Sequence, residues 1–241
     1  MLRLLEQQGD FLFRWRSYLP LLCLPILAGE LSRFSYPYGS HLFDELVEVA
    51  CFAIAGVGLM IRSLVQGYAR SGTSARNTRQ RRAARLNTTG MYSLCRHPLY
   101  LGNYLISFGV LLFFTSPYLL AVFSLLFWLY YERIILVEEA FLAERFGDAH
   151  REWVARTPVF LPRFSGWRQP KVPFRFSTVL RREYTTVLLI VVAMTCFEVL
   201  GDFAIEGRLS IGPIWRLLLA LAALQYQVLR SLNKHTQLLR A

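Results

Sequence analysis

The side chains able to do chemistry fall in two short clusters. Arg96 and His97 stand directly before Pro98, and Arg133, Glu138 and Glu139 follow after a long apolar stretch. Pro98 suits the first position of a helix, where its missing N–H would have no partner anyway. His97 then sits at the helix start, where free N–H groups and positive potential favour an anion. Arg96 adds a planar cation suited to carboxylate or phosphate. Two adjacent carboxylates repel each other, so one of Glu138 and Glu139 needs an arginine or a ligand hydroxyl pair as partner. Tyr100 and Tyr104 flank Gly102, which reads as a gap in the helix wall between aromatic faces. His150, Arg151 and Trp153 follow in an amphipathic segment broken at Gly147.

These clusters need elements that bring them together. Two apolar runs, joined by Ser116-Pro117, separate them. The arms are about 19 and 21 residues, each about 30 Å at 1.5 Å per residue, so a hairpin returns both polar ends to one membrane face. The chain of 241 residues is 54% apolar, in runs without helical striping. Helices apolar all round belong in a membrane or a deep core. The expected fold is all-α: a polytopic membrane bundle of about six helices, near 17–36, 42–61, 99–115, 117–136, 184–204 and 212–230. The division expected is residues 1–86 as N-terminal spans and a basic loop, 87–165 as the core, and 166–241 as a linker with two further spans. No signal peptide is expected in this stretch, because charges from Arg3 to Arg16 are spread through it.

Arginine and lysine crowd alternate loops, which places both termini and the clusters on the cytoplasmic side. That topology accounts for the net charge of +11, and no nucleic-acid motif accompanies it. Four cysteines form no framework, and no Cys/His spacing supports a metal. Cys95 beside the cluster is a poor nucleophile, since little there would lower its pKa. Gly56 and Gly58 permit close helix approach, and Gly109 fits the same use. Glu198, deep in the fifth span, calls for a partner.

Taken in order, Thr88/Thr89-Gly90-Met91-Tyr92, Arg96-His97-Pro98-Leu99-Tyr100-Leu101-Gly102, Glu138-Glu139-Ala140-Phe141-Leu142, Phe146-Gly147, and Pro158 with Pro162 form a specific pattern. It resembles the isoprenylcysteine carboxyl methyltransferase and phospholipid methyltransferase family, integral membrane enzymes that use S-adenosyl-L-methionine. The resemblance implies that Arg96, His97 and Pro98 hold the methionine carboxylate. It implies that Tyr100, Gly102 and Tyr104 shape the pocket, and that Glu138 or Glu139 takes the ribose hydroxyls or the amino group. His97, Arg133, Glu138 and Glu139 would carry the reaction. Arg133 and Arg151 would orient the acceptor, with His150 and Trp153 standing where the family usually has tyrosines. The acceptor would be a membrane lipid or lipidated molecule, with the arginine density favouring a phosphate or a prenylcysteine carboxylate. Phosphatidylethanolamine or a small thiol remains open, as does an NADPH-dependent membrane reductase of the sterol type, which shares a similar hairpin. Oligomeric state has no signature in the sequence.

Overall fold

The computed structural model describes residues 11–12, 24–32, 34–35, 41–69 and 85–236. The helices in chain order are α1 (Leu24–Leu31), α2 (His41–Gly67), a single turn α3 (Met91–Leu94), α4 (Pro98–Leu112), α5 (Pro117–Arg156), α6 (Phe176–Glu206) and α7 (Pro213–His235). The described residues form no strand, so the fold is the expected helical membrane bundle. Most of the first expected span, with Pro20 and Cys23, and the basic loop from Arg70 to Ala84 lie outside the described residues.

Three helices, α2, α5 and α6, are long and apolar enough to cross a membrane. Leu125, Leu126, Trp128 and Leu129 of α5 face outward, as lipid contact requires. α7 is long enough at 23 residues, but Arg216, Gln225, Gln227 and Arg230 keep it out of that group. α4 has 15 residues, about 22 Å at 1.5 Å per residue, so the two hairpin arms are not matched. It ends in the turn at Phe113–Phe114, and Thr115 takes a left-handed φ of 47°. Ser116 then caps α5 by accepting from the Leu119 N–H at 3.3 Å, and Pro117 fills the first turn. At 40 residues, α5 runs well past one hydrocarbon thickness and carries Glu138 and Glu139 beyond its membrane-crossing part.

Close packing of α2 on α4 fixes the core. A Cβ on Gly109 would stand 2.7 Å from Cys51 O and from Ala55 N, and one on Gly58 would stand 2.6 Å from Gly102 O. Small residues replace the hydrophobic effect as the means of helix association in lipid. Gly102 belongs to this seam: its Cβ would lie 2.6 Å from Arg62 Cγ and 2.8 Å from Gly58 O. The gap expected at Gly102 is therefore filled by α2. Gly56, by contrast, has nothing nearby. Gly102→Ala is expected to force the helices apart, because the Gly58 carbonyl cannot swing aside, at a cost of about 1–3 kcal/mol. Thermal unfolding in detergent would show this as a lowered melting temperature.

Two clusters fill the interior. Cys51, Ala55 and Phe113 pack with Ile190 and Met194 of α6 and Trp215 of α7. Nearer the polar rim, Ile61 and Val65 pack with Met91, Leu94, Cys95 and Leu101. A seam of rings joins α4 to α5: Tyr104 lies 5.9 Å from Phe123 and 5.1 Å from Phe127, and Phe127 stacks on Tyr131 at 4.2 Å.

Candidate active site

The rim gathers four side chains from the two clusters. His97 Nε2 lies 2.8 Å from Glu139 Oε1, and Arg96 donates to Glu139 Oε2 at 2.5 Å. Tyr100 donates to Glu138 Oε1 at 2.7 Å and stacks on the His97 ring at 5.6 Å. His97 Nδ1 faces Glu138 Oε2 at 3.6 Å, beyond hydrogen-bond reach. An ionised carboxylate only accepts, so Nε2 carries the proton that Glu139 receives. The hairpin thus brings an imidazole, a guanidinium and both carboxylates to one place.

Electrostatics around Glu139 are asymmetric. Burial is the largest single influence and would raise its pKa, but the His97 hydrogen bond and the charges of His97, Arg96 and His150 together outweigh it and hold the group below the ordinary carboxylate range. His150 Nε2 is 3.2 Å from Glu139 Oε2, yet it is not aligned for a hydrogen bond. Among the described residues, His150 Nε2 and Arg96 Nε are buried polar atoms without a hydrogen-bond partner. Such atoms are rare unless something else completes them.

Local structure explains how these groups are held. The chain after α5 runs back along the lead-in to α4: Arg96 N–H donates to Pro158 O at 2.9 Å, His97 N–H to Val159 O at 3.2 Å, and Arg163 N–H to Leu94 O at 3.0 Å. Gly147, at φ 49°, is a conformation that a β-carbon disfavours, and it kinks α5 where the sequence suggested. Beyond the kink, Trp153 is 2% exposed and donates from Nε1 to Tyr92 O at 2.9 Å. Trp153 therefore pins α5 to the lead-in and has no open ring face for an acceptor. Pro98 begins α4 as expected.

Other expected members stand elsewhere. Arg133 donates to Glu132 and to Leu129 O, away from the carboxylate pair. Arg151 pairs with Asp148, both largely exposed. Tyr104 sits in the α4–α5 ring seam and shares a hydrogen bond with Ser124 Oγ at 2.9 Å. Cys95 is 0% exposed, and burial pushes its thiol up to about 12, against a smaller lowering by a backbone hydrogen bond at His97. Its neutral form is the stable one when folded, so this contribution is complete below the ordinary thiol value of 9.0 and shrinks as pH rises above it. Iodoacetamide at mildly alkaline pH is expected to spare Cys95 in the folded protein and to modify it on unfolding. Peptide mass mapping reads both.

A second polar layer, missed in the sequence, lies about two helical turns inside the first. Glu183 of α6 receives three hydrogen bonds from Arg62 of α2, at 2.9, 3.0 and 3.1 Å. Arg62 also donates to Asn103 Oδ1. The Asn103 amide donates to the Tyr131 hydroxyl at 3.4 Å, and the Tyr131 ring lies 4.6 Å from that of Tyr100. An ionisable residue this far into a membrane helix is the signal that could have found Arg62. Glu198 does have neighbours: ligand-type oxygens of Asp44, Glu48 and Glu198 all lie within 4.8 Å of one another.

Comparison with known proteins supplies the context for this rim. Residues 47–149 match the phospholipid methyltransferase family. The cobalt-zinc-cadmium resistance protein CzcN of Cupriavidus metallidurans is 45% identical over 83 residues, covering 34% of this chain and 38% of that protein. The nickel-cobalt-cadmium resistance protein NccN of Alcaligenes xylosoxydans xylosoxydans is 39% identical over 154 residues, 64% of this chain and 65% of that protein. The protein-S-isoprenylcysteine O-methyltransferase of Saccharomyces cerevisiae is 30% identical over 149 residues, 61% of each chain. The chain thus spans less than two thirds of the length of these three relatives. No solved structure matches it. Both rim clusters lie within residues 47–149, the stretch of this chain that is similar to the phospholipid methyltransferase family.

Proposed function

We propose that this chain is an integral membrane methyltransferase that uses S-adenosyl-L-methionine on the cytoplasmic side and acts on a membrane-embedded acceptor. The observation that carries the reading is the cluster of Arg96, His97, Tyr100, Glu138 and Glu139 at one rim of the hairpin, within the family's matched region. The residues fit the cofactor: Arg96 Nε and His150 Nε2 are buried polar atoms still to be completed, and the Glu138 carboxylate stays partly open. Arg96, His97 and the start of α4 would hold its carboxylate, and Glu138 its hydroxyls or amino group. When bound, it supplies an activated methyl for in-line displacement.

The protein's own part is positioning. Glu139 fixes the His97 ring and the Arg96 fork, and Tyr100 orients Glu138. Each of Arg62, Arg96, Arg133 and Arg151 has a carboxylate partner, so arginine density no longer argues for an anionic acceptor. Support for a carboxylate acceptor comes instead from the O-methyltransferase relative. A carboxylate or phosphate is already ionised and needs no general base, whereas an amine acceptor would need one. Residues 87–165 would form the cofactor core, with 1–86 and 166–241 shaping the acceptor side.

Heat protection of the detergent-solubilised protein tests the reading. Protection by S-adenosylhomocysteine supports it, and protection by NADPH alone removes it. The two metal-resistance relatives favour a second reading, in which the chain serves metal tolerance. Growth on cobalt, zinc or cadmium with the wild-type or His97→Ala chain would then differ.

A further inference from the structure

Between Thr157 and Phe176 the chain has no acidic residue, while Arg163, Arg168, Lys171 and Arg175 are spread through it. This segment is a strap across the outside of the rim. Its inner side is committed to the protein. Pro158 O and Val159 O receive the Arg96 and His97 N–H groups, Arg163 N–H donates to Leu94 O, and Gly90 N–H donates to Arg168 O at 2.8 Å. Its far end is pinned to α2, where Arg175 N–H donates to Gly67 O at 2.9 Å and the Arg175 side chain to Ala69 O.

The outer side is free. Arg163, Arg168 and Lys171 are exposed, and among the described residues no carboxylate pairs with them. Between them stand Leu161, 75% exposed, Phe164, 78% exposed, and the half-exposed Trp167. Cations alternating with exposed aromatic and aliphatic groups match one environment: apolar rings settle at the headgroup level of a bilayer, and basic clusters next to a membrane helix attract anionic lipid.

We propose that the strap from Leu161 to Phe176 is a docking surface for anionic phospholipid headgroups, and that its occupancy holds the Arg96–His97 segment in place. The charge is complementary, the exposed rings choose a bilayer over a soluble anion, and the backbone bonds carry the effect to the rim. This inference rests on the surface and stands whatever reaction the rim performs.

The test uses the full chain in neutral detergent, titrated with phosphatidylglycerol or phosphatidylcholine. Hydrogen exchange is followed at the amides of Gly90, Arg96, His97 and Arg163. Phosphatidylglycerol is expected to slow exchange there several-fold, and phosphatidylcholine to leave it unchanged. About 0.5 M salt, with its screening length of a few Å, should reverse the effect. The variant R163Q/R168Q/K171Q, altered only at exposed positions, should melt like the wild type without lipid and lose the response to phosphatidylglycerol. Equal responses to the two lipids, or an unchanged response in the triple variant, would overturn the proposal. So would full protection by inorganic phosphate at matched concentration, which would assign the strap to free anions.

Discussion

Glu139→Ala is expected to abolish protection by S-adenosylhomocysteine, with affinity lowered at least 100-fold. The carboxylate accepts from Arg96 at 2.5 Å and from His97 at 2.8 Å, and lies 3.2 Å from His150 Nε2. Removing it leaves a largely buried guanidinium with no carboxylate partner and a buried imidazole with only Glu138, at 3.6 Å, in its place. Breaking a buried pair by deleting one partner costs about 3–5 kcal/mol, and each 1.4 kcal/mol is tenfold in affinity. The loss falls first on the groups that would meet the ligand. Glu139→Gln keeps the shape but turns an amide toward Arg96, so it should bind weakly too. Glu132→Ala is the control, since it breaks only the partly exposed pair with Arg133, worth about 0–1 kcal/mol. Calorimetric titration on the three variants decides the matter. Wild-type affinity in Glu139→Ala, or equal loss in Glu132→Ala, would rule out this role.

The hairpin, the rim cluster and the break at Gly147 were legible because each depends on spacing along one stretch of chain. Arg133 was not, and helix geometry says why. At 100° per residue it points about 140° away from Glu138 and about 120° away from Glu139, so nearness in sequence put it on the wrong face. The same rule sets His150 and Trp153, three residues apart, on the inner face and leaves Arg151 in solvent. Gly102 was misjudged because a missing side chain reads alike whether a ligand or a neighbouring helix fills the space. Only the packing of α2 on α4 tells them apart, since Gly58 O and Arg62 occupy it. The backbone pairing of the strap with the lead-in has no side-chain signature at all. The division of the chain into three parts follows loops and composition, and the packing of α6 on α2 crosses it.

Glu183→Ala is the change expected to matter most outside the rim. Glu183 is 3% exposed and is separated from Arg62 by 121 residues, so nothing local could replace it. It lies beyond the matched residues 47–149, yet three hydrogen bonds tie it to a guanidinium that also holds Asn103. Without it, Arg62 is left inside the bundle with only an amide for a partner. Such an orphaned charge costs about 3–5 kcal/mol, and in lipid no water comes cheaply to relieve it. Melting in detergent should therefore fall sharply for Glu183→Ala. Replacing both partners together, as in R62L/E183L, should cost less than the single change, because paired removal leaves no buried charge. Through Asn103, Tyr131 and Tyr100 the same pair supports Glu138, so a weaker S-adenosylhomocysteine affinity should accompany the lost stability. If the double variant melts as low as the sum of the single ones, Glu183 and Arg62 act independently, and α6 is only an anchor beside the site.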